Sequence, residues 1–340
     1  MKHVPVLKPR VRGWSILATP MPTESEAKSR MPPEPPETVW NFCLTVLEHG
    51  DLASKLAAPV DRSGQTLPDV DRGDPVLIGR PKRDPGLQMA GGREKLPRPG
   101  QLRDPQHRMR CLSRFAHHEL MAVELFAWAL LRWPRLPDSL RHGLLSALVD
   151  EQRHCQLYLN RLVAHGGRFE TDDHSDYFWQ QIPSIEKSKA GPSAFLAAIG
   201  LTLEQANLDF TLTYRDGFAE AGDHESAQVC QRVHNEEIAH VALAVRWIQR
   251  LDPMGSEIAN PKSSDLEAYL AAVPYPLGPS RAKGRRFEVA PRRHAGLSPE
   301  LIETVRVARS SPELSNPRHA AARITDTEHA SKPDDGHEPS

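Results

Sequence analysis

Proline is distributed along this chain so unevenly that it dictates where regular structure can form. Of 31 prolines, only five (Pro105, Pro134, Pro137, Pro183 and Pro192) fall between residues 101 and 250. Proline lacks a backbone N–H and its ring clashes with the preceding helical turn, which confines it to helix ends and irregular segments. A proline-poor window between two proline-rich arms predicts a helical core of about 150 residues, an ordinary domain size. The fold class expected is all-α.

Four long helices are predicted in that window. The first spans about 106–132 and stops at Pro134. The second starts near Pro137-Asp138, read as a cap, and ends at Gly166-Gly167. The third starts at Pro192 and ends near Gly222, and the fourth runs from Asp223 to just before Pro253. Links of a few residues make each pair an antiparallel hairpin. About 25 residues separate the hairpins, room for one long crossover with a short helix near Tyr177–Ile182. Two hairpins joined by one crossover is the ferritin-like variant of the four-helix bundle.

The division expected is an irregular arm (1–36), a docked helix and extended strap (37–104), the bundle (105–253), an irregular extension with one short helix at Ser298–Ala308 (254–309), and a disordered tail (310–340). In the second of these, residues 37–57 carry helical apolar spacing at Val39, Phe42, Leu44, Val46 and Leu47, predicting a single helix. The strap, 60–104, is rich in Gly, Pro, Arg and Asp and is expected to run over the surface. The tail has too few apolar groups to offset chain entropy.

Charge is balanced, 43 basic against 44 acidic residues, so bulk electrostatics predict neither a nucleic-acid nor a membrane partner. No apolar run reaches the ~18–20 residues of a membrane helix, and Met1–Pro20 lacks the apolar stretch of a secretory signal. Cys43, Cys111, Cys155 and Cys230 are far apart without a CxxC pair, which argues against a disulfide framework or zinc knuckle. A reducing, cytoplasmic location is expected.

The second helix carries Glu151-Gln-Arg-His154 and the fourth Glu237-Ile-Ala-His240. Residues i and i+3 share a helix face, so each Glu and His can reach one ion. These faces also carry apolar residues: Leu144, Ala147, Leu148, Cys155 and Tyr158 on one, Cys230, Val233, Val241 and Ala244 on the other. The acids and imidazoles thus occupy stripes that should pack inward, where an unpaired charge is costly. The first helix puts Glu119 in line with Phe115, Ala122, Phe126 and Ala129. The third puts Glu204 near Leu201, Leu208 and Thr211. Glu119 precedes Glu151 by 32 residues and Glu204 precedes Glu237 by 33, the same construction twice. Four glutamates and two histidines in a bundle centre suit two iron ions, or iron with manganese. Bridging carboxylates would hold such ions about 3.5–4 Å apart. Glu124 is the rival of Glu119, about 140° round the helix, and the repeat spacing favours Glu119. His117 and His118 are read as supporting or surface groups rather than further ligands. Cys155 and Cys230 are read as small core residues. Asp209, five after Glu204, is either a supporting acid or else a cap or half of a salt bridge. Arg281, Lys283, Arg285, Arg286, Arg292 and Arg293 read as a solvated linker rather than an RNA or phosphate contact.

Asp150-Glu151-Gln152-Arg153-His154 resembles the [DE]-E-x-R-H signature of carboxylate-bridged diiron oxidases and monooxygenases. Glu236-Glu237-Ile238-Ala239-His240 keeps the paired acids but has Ala239 in place of the arginine. The resemblance implies that Asp150 and Glu236 accept hydrogen bonds from His240 and His154, with Arg153 an internal ion-pair partner. The segment also resembles the ribonucleotide-reductase small subunit, which implies a redox role for Tyr158; an ordinary core tyrosine is the alternative. More narrowly, the strings at 117–125, 203–210 and 232–241 resemble a ferritin-like bacterial domain family of unknown function, over about 35–310 and including Gly79-Arg80-Pro81.

Two metal ions per chain are therefore expected, in an oxygen-activating oxidoreductase of the diiron oxidase or monooxygenase kind. It would act on an unidentified small substrate with an unidentified electron donor. Non-catalytic iron handling and a metal-free interaction bundle are the alternatives. The oligomeric state is left open.

Overall fold

The computed structural model describes residues 36–91, 96–169 and 174–309. The expected N-terminal arm, apart from Pro36, and the expected tail lie outside the described residues. Among the described residues the chain is all-helical, and extended pairing is limited to isolated bridges such as Val60 with Thr66. No described helix is long and apolar enough to cross a membrane.

Helix α1 (Val39–Glu48) and helix α2 (Leu52–Leu56) occupy the stretch where one helix is expected. The break falls at His49–Asp51, where the strap crosses. A Cβ on Gly50 would lie 2.2 Å from Asp84 Oδ1, and Asp84 N donates to the Gly50 carbonyl at 2.9 Å. Asp51 then starts α2 by accepting from Ser54 N at 2.8 Å.

The long helices are α3 (Pro105–Arg132) and α4 (Asp138–Ala164), then, beyond the short helix α5 (Ile182–Lys187), α6 and α7 (His224–Ile248). Asp138 is the first residue of α4 rather than its cap; the capping position is Pro137, which offers no side-chain acceptor, and Asp138 pairs with Arg72 at 2.7 Å. α6 has three continuous parts, Pro192–Phe195, a π-helical Leu196–Glu204 and Gln205–Glu220. α3 packs along α4, α6 along α7, and α4 against α7. Phe126 against Phe195 and Phe115 against Tyr214 join α3 to α6.

All of Glu119–Leu131 in α3 is buried. A helix covered all round needs cover on every side, and α1 supplies the side that α4 leaves open. The strap is not confined to the surface: Arg83 is 7% exposed, and Leu67, Leu87 and Leu102 are buried.

The extension after α7 forms three helices instead of one: α8 (Asp265–Ala272), α9 (Val289–His294) and α10 (Pro299–Val307). Tyr269, Ala282, Leu301 and Val305 are fully buried and belong to the core. Arg292 and Asp209, both 0% exposed in the side chain, pair at 2.7 Å. Asp209 also accepts from Gly284 N and Glu288 N, and Arg292 donates to the carbonyls of Gln205, Ala282 and Glu288. Asp209 is therefore the clasp that fixes this extension to α6, not a support for the carboxylate cluster.

The buried apolar side chains form two clusters. On α3 one ends at Leu120 and the other begins at Met121; on α4 the break lies between Leu148 and Cys155, and on α7 between Val233 and Val241. Glu151 and His154 lie in the α4 break, and Glu237 and His240 in the α7 break.

Candidate metal centre

Two sets of four side chains are positioned to bind a metal ion. In one, a ligand atom from each of Glu119, Glu151, His154 and Glu237 lies within 4.8 Å of the others. In the other, the same holds for Glu151, Glu204, Glu237 and His240. Glu151 and Glu237 belong to both. The two imidazole centroids are 6.0 Å apart, and Glu119 and Glu204 are only 6% and 2% exposed.

Each histidine is held from outside. His154 Nε2 lies 2.7 Å from Glu236 Oε2, and His240 Nε2 lies 3.3 Å from Asp150 Oδ2. Each carboxylate therefore belongs to the helix opposite the histidine it holds. Arg153 joins the two, donating to Asp150 at 2.6 Å and to Glu236 at 3.0 Å, and with a side chain 36% exposed it sits at the edge of the interior rather than within it. An outer carboxylate fixes the ring plane and turns the other nitrogen inward.

Those inward atoms test whether the residues fit a metal. His154 Nδ1, His240 Nδ1, both Glu151 oxygens, Glu204 Oε1 and Glu237 Oε2 are buried without a hydrogen-bond partner among the described residues. His240 Nδ1 does approach Glu151 Oε1 to 2.9 Å, but the alignment is not that of a hydrogen bond. A buried polar atom left unpaired costs about 1–3 kcal/mol, and six converging on one point make a donor set of carboxylate oxygens and imidazole nitrogens that divalent iron or manganese satisfies. The residues fit.

Protons tell the same story. Burial and the neighbouring carboxylates, Glu151 foremost for Glu119 and Glu237 for Glu204, push both carboxyls well above their usual range. Burial acts on Glu151 in the same direction, but the adjacent His154 and His240 imidazoles, 3.4 and 2.9 Å away, outweigh it and hold that carboxyl well below. Burial would lower His154, yet Glu151 and Glu236 raise it to about 9, and His240 is raised likewise by Asp150 and Glu151. Without a cation, protons must neutralise this cluster.

The remaining candidates fall elsewhere. Glu124 is fully buried but accepts from Arg83 at 2.8 and 3.0 Å and from Trp179 Nε1 at 3.0 Å, with Lys55 Nζ 2.9 Å away. Its oxygens are committed to the strap and to α2. His117 is not at the surface: it is 2% exposed and stacks on His174 at 4.4 Å. His118 stacks on Phe178 at 5.6 Å, and burial lowers its pKa to about 4. Cys155 and Cys230 are fully buried, and burial raises both thiols. Tyr158, 2% exposed, meets Cys230 Sγ at 3.9 Å, a weak partner for its hydroxyl.

A family model described as "Protein of unknown function (DUF455)" matches residues 49–303. The chain belongs to this family. The DUF455 match begins at the end of α1 and closes within α10, so it includes all six inward-facing ligand candidates, the strap and the clasp. No curated protein and no solved structure matches the chain.

One residue beside the DUF455 cluster escapes a reading based on acids and histidines. Asn207 Nδ2 donates to Glu237 Oε1 at 3.2 Å and approaches Glu204 Oε2 at 3.4 Å. Its signal is the spacing Glu204-x-x-Asn207, the third helix's counterpart of the Glu-x-x-His pairs. A cavity of about 440 Å³ opens on this side and reaches Glu119, Tyr158 and Asn207.

Proposed function

We propose that this DUF455 protein is a ferritin-like four-helix bundle holding two divalent cations, iron or iron with manganese, and that it uses them to activate dioxygen on a small organic substrate. The observation that carries the reading is the sharing of Glu151 and Glu237 between two otherwise separate four-residue sets. The six side chains come within mutual reach only four at a time, so two ions sharing Glu151 and Glu237 would use all six. In this assignment Glu119 and His154 complete one site, and Glu204 and His240 the other.

When bound, such a pair supplies the two-electron reduction of oxygen, chemistry that belongs to the metals. The chain's own contribution is positional. Asp150 and Glu236 hold each imidazole in one tautomer, with the Nε2 proton outward and Nδ1 free to ligate. Asn207 fixes the carboxylates of Glu204 and Glu237. Phe115, Tyr158 and Leu203 wall the cavity side and exclude bulk water. Tyr158 is the candidate redox side chain of this reading.

The cavity favours catalysis over iron storage, since a store needs an ion path rather than an apolar chamber. The test is metal analysis of protein expressed in iron- and manganese-replete medium, followed by exposure of the reduced protein to oxygen. About two metals per chain and an oxygen-dependent absorption change without iron accumulation are expected. Metal-free protein under these conditions would overturn the reading.

A further inference from the structure

The cavity beside the cluster is built asymmetrically, and its asymmetry has a chemical meaning. Its inner walls are Phe115, Tyr158, Leu203 and Ala206, each less than 10% exposed, with Glu119 at the deep end. Its outer rim is Phe210, 40% exposed, together with Ser280, Arg281 and Lys283 from the extension between α8 and α9. The volume is within the range of small-molecule sites.

The rim is rigid. Ala282 is fully buried and accepts from Arg292, Gly284 N donates to Asp209, and Lys283 Nζ donates to the Arg306 carbonyl at 2.5 Å. Among the described residues the nearby acids are already engaged: Asp209 with Arg292, Asp216 with Arg215 and Arg286, and Glu288 with Arg286. Arg281 forms no ion pair among the described residues. The fold thus spends a buried ion pair on fixing a segment that presents a guanidinium, without a counter-ion among the described residues, at the mouth of an apolar chamber.

Resting on the dinuclear reading for the chemistry but not for the binding, we infer that the cavity takes an anionic amphiphile: an aromatic or aliphatic body with one terminal carboxylate or phosphate. The anion seats on Arg281, with Lys283 beside it, and the body extends inward past Phe210 to the cluster. The opposite orientation would bury the anion among Phe115, Tyr158, Leu203 and Ala206, away from Arg281 and Lys283. The carbon presented for reaction is consequently the one remote from the charged end.

Calorimetric titration of the metal-loaded protein with 1-naphthylacetate, 1-naphthyl phosphate and the neutral 1-naphthylacetamide tests this. Either anion should bind about tenfold tighter than the amide, the scale of one charge-assisted contact at a rim. The preference should shrink at high salt. Arg281→Gln should reduce the anions to the amide's affinity and Arg281→Lys restore part of the difference, with metal content unchanged in both. Tighter phosphate binding assigns a phosphorylated substrate; equal or tighter carboxylate binding assigns a carboxylic acid. Equal binding of the amide, an unaltered preference in Arg281→Gln, or no binding of any probe would overturn the inference. Absence of metal would instead strike the dinuclear reading, because the anion preference can be measured on metal-free protein as well.

Discussion

Glu151 and Glu124 are both fully buried glutamates, yet their surroundings give them opposite duties. Glu124 is matched by two cations and an indole N–H. Replacing it with Gln strands Lys55 and Arg83 in the interior, and removing one partner of a buried pair costs about 3–5 kcal/mol. Glu124→Gln should therefore lower stability by that order, read in denaturant unfolding, with metal content intact. Glu151 belongs to both four-residue sets, whereas Glu119 and Glu204 belong to one each. Glu151→Ala should abolish binding of both ions, while Glu119→Ala and Glu204→Ala should each weaken one, as measured by metal per chain. His154→Ala should likewise lose one ion. Equal metal content in all four variants would reject the assignment. Much of this was legible in the sequence, because Glu119 and Glu204 stand one helical hairpin before their Glu-x-x-His partners. Asn207 was not, since an amide beside a carboxylate carries no excess charge to mark it. Arg83 was not either: in a strap of Gly, Pro and Arg nothing distinguishes the arginine that turns inward.

Among the elements, the π segment Leu196–Glu204 carries the most consequence. Thr202 Oγ1 donates to the Ala197 carbonyl at 2.7 Å and shares a 2.9 Å hydrogen bond with the Tyr269 hydroxyl, so α8 anchors the widened turns. Such turns cluster at functional sites, and this one ends on a ligand candidate. Gly200 lets it approach α7, for a Cβ there would lie 2.4 Å from the Ala244 Cβ. Helix propensity favours Gly200→Ala by up to about 1 kcal/mol, but overpacking typically costs 1–3 kcal/mol, so the clash should win. The variant should melt lower and bind metal more weakly, because α6 must move away from Glu237 and His240. The spacing of prolines, glycines and caps located the helices from Pro105 to Ile248 within a few residues, since helix breakers mark the ends of long helices. It did not reveal the π register, whose Thr202 hydroxyl meets a tyrosine brought in from α8. Nor did it reveal α8 and α9, too short for a stripe of their own and held by the Asp209–Arg292 clasp.

For the molecule as a whole, the cluster's protons couple stability to pH. His154 and His240 have folded pKa values above the unfolded value, so their contribution is complete below about pH 6.5 and is lost as pH rises, for His154 through about 9. Glu119 and Glu204, also raised, act in the same direction. Metal-free protein should therefore become less stable between about pH 6.5 and 9, and thermal melts across that window should show it. Added Fe(II) or Mn(II) should reverse the trend, since ligation displaces protons and grows more favourable as pH rises. Saturation at a hundred times Kd should add about 2.7 kcal/mol per independent site.

The gap between the two apolar clusters has a consequence for how the protein comes apart. Along α4 and α7 the greasy halves meet across a charged seam rather than through continuous packing. Cations stitched into that seam would weld the halves into one melting unit, with calorimetric and van't Hoff enthalpies in agreement. Chelation should cut the stitches, so that the two halves let go at different temperatures and the heat-absorption peak broadens or splits.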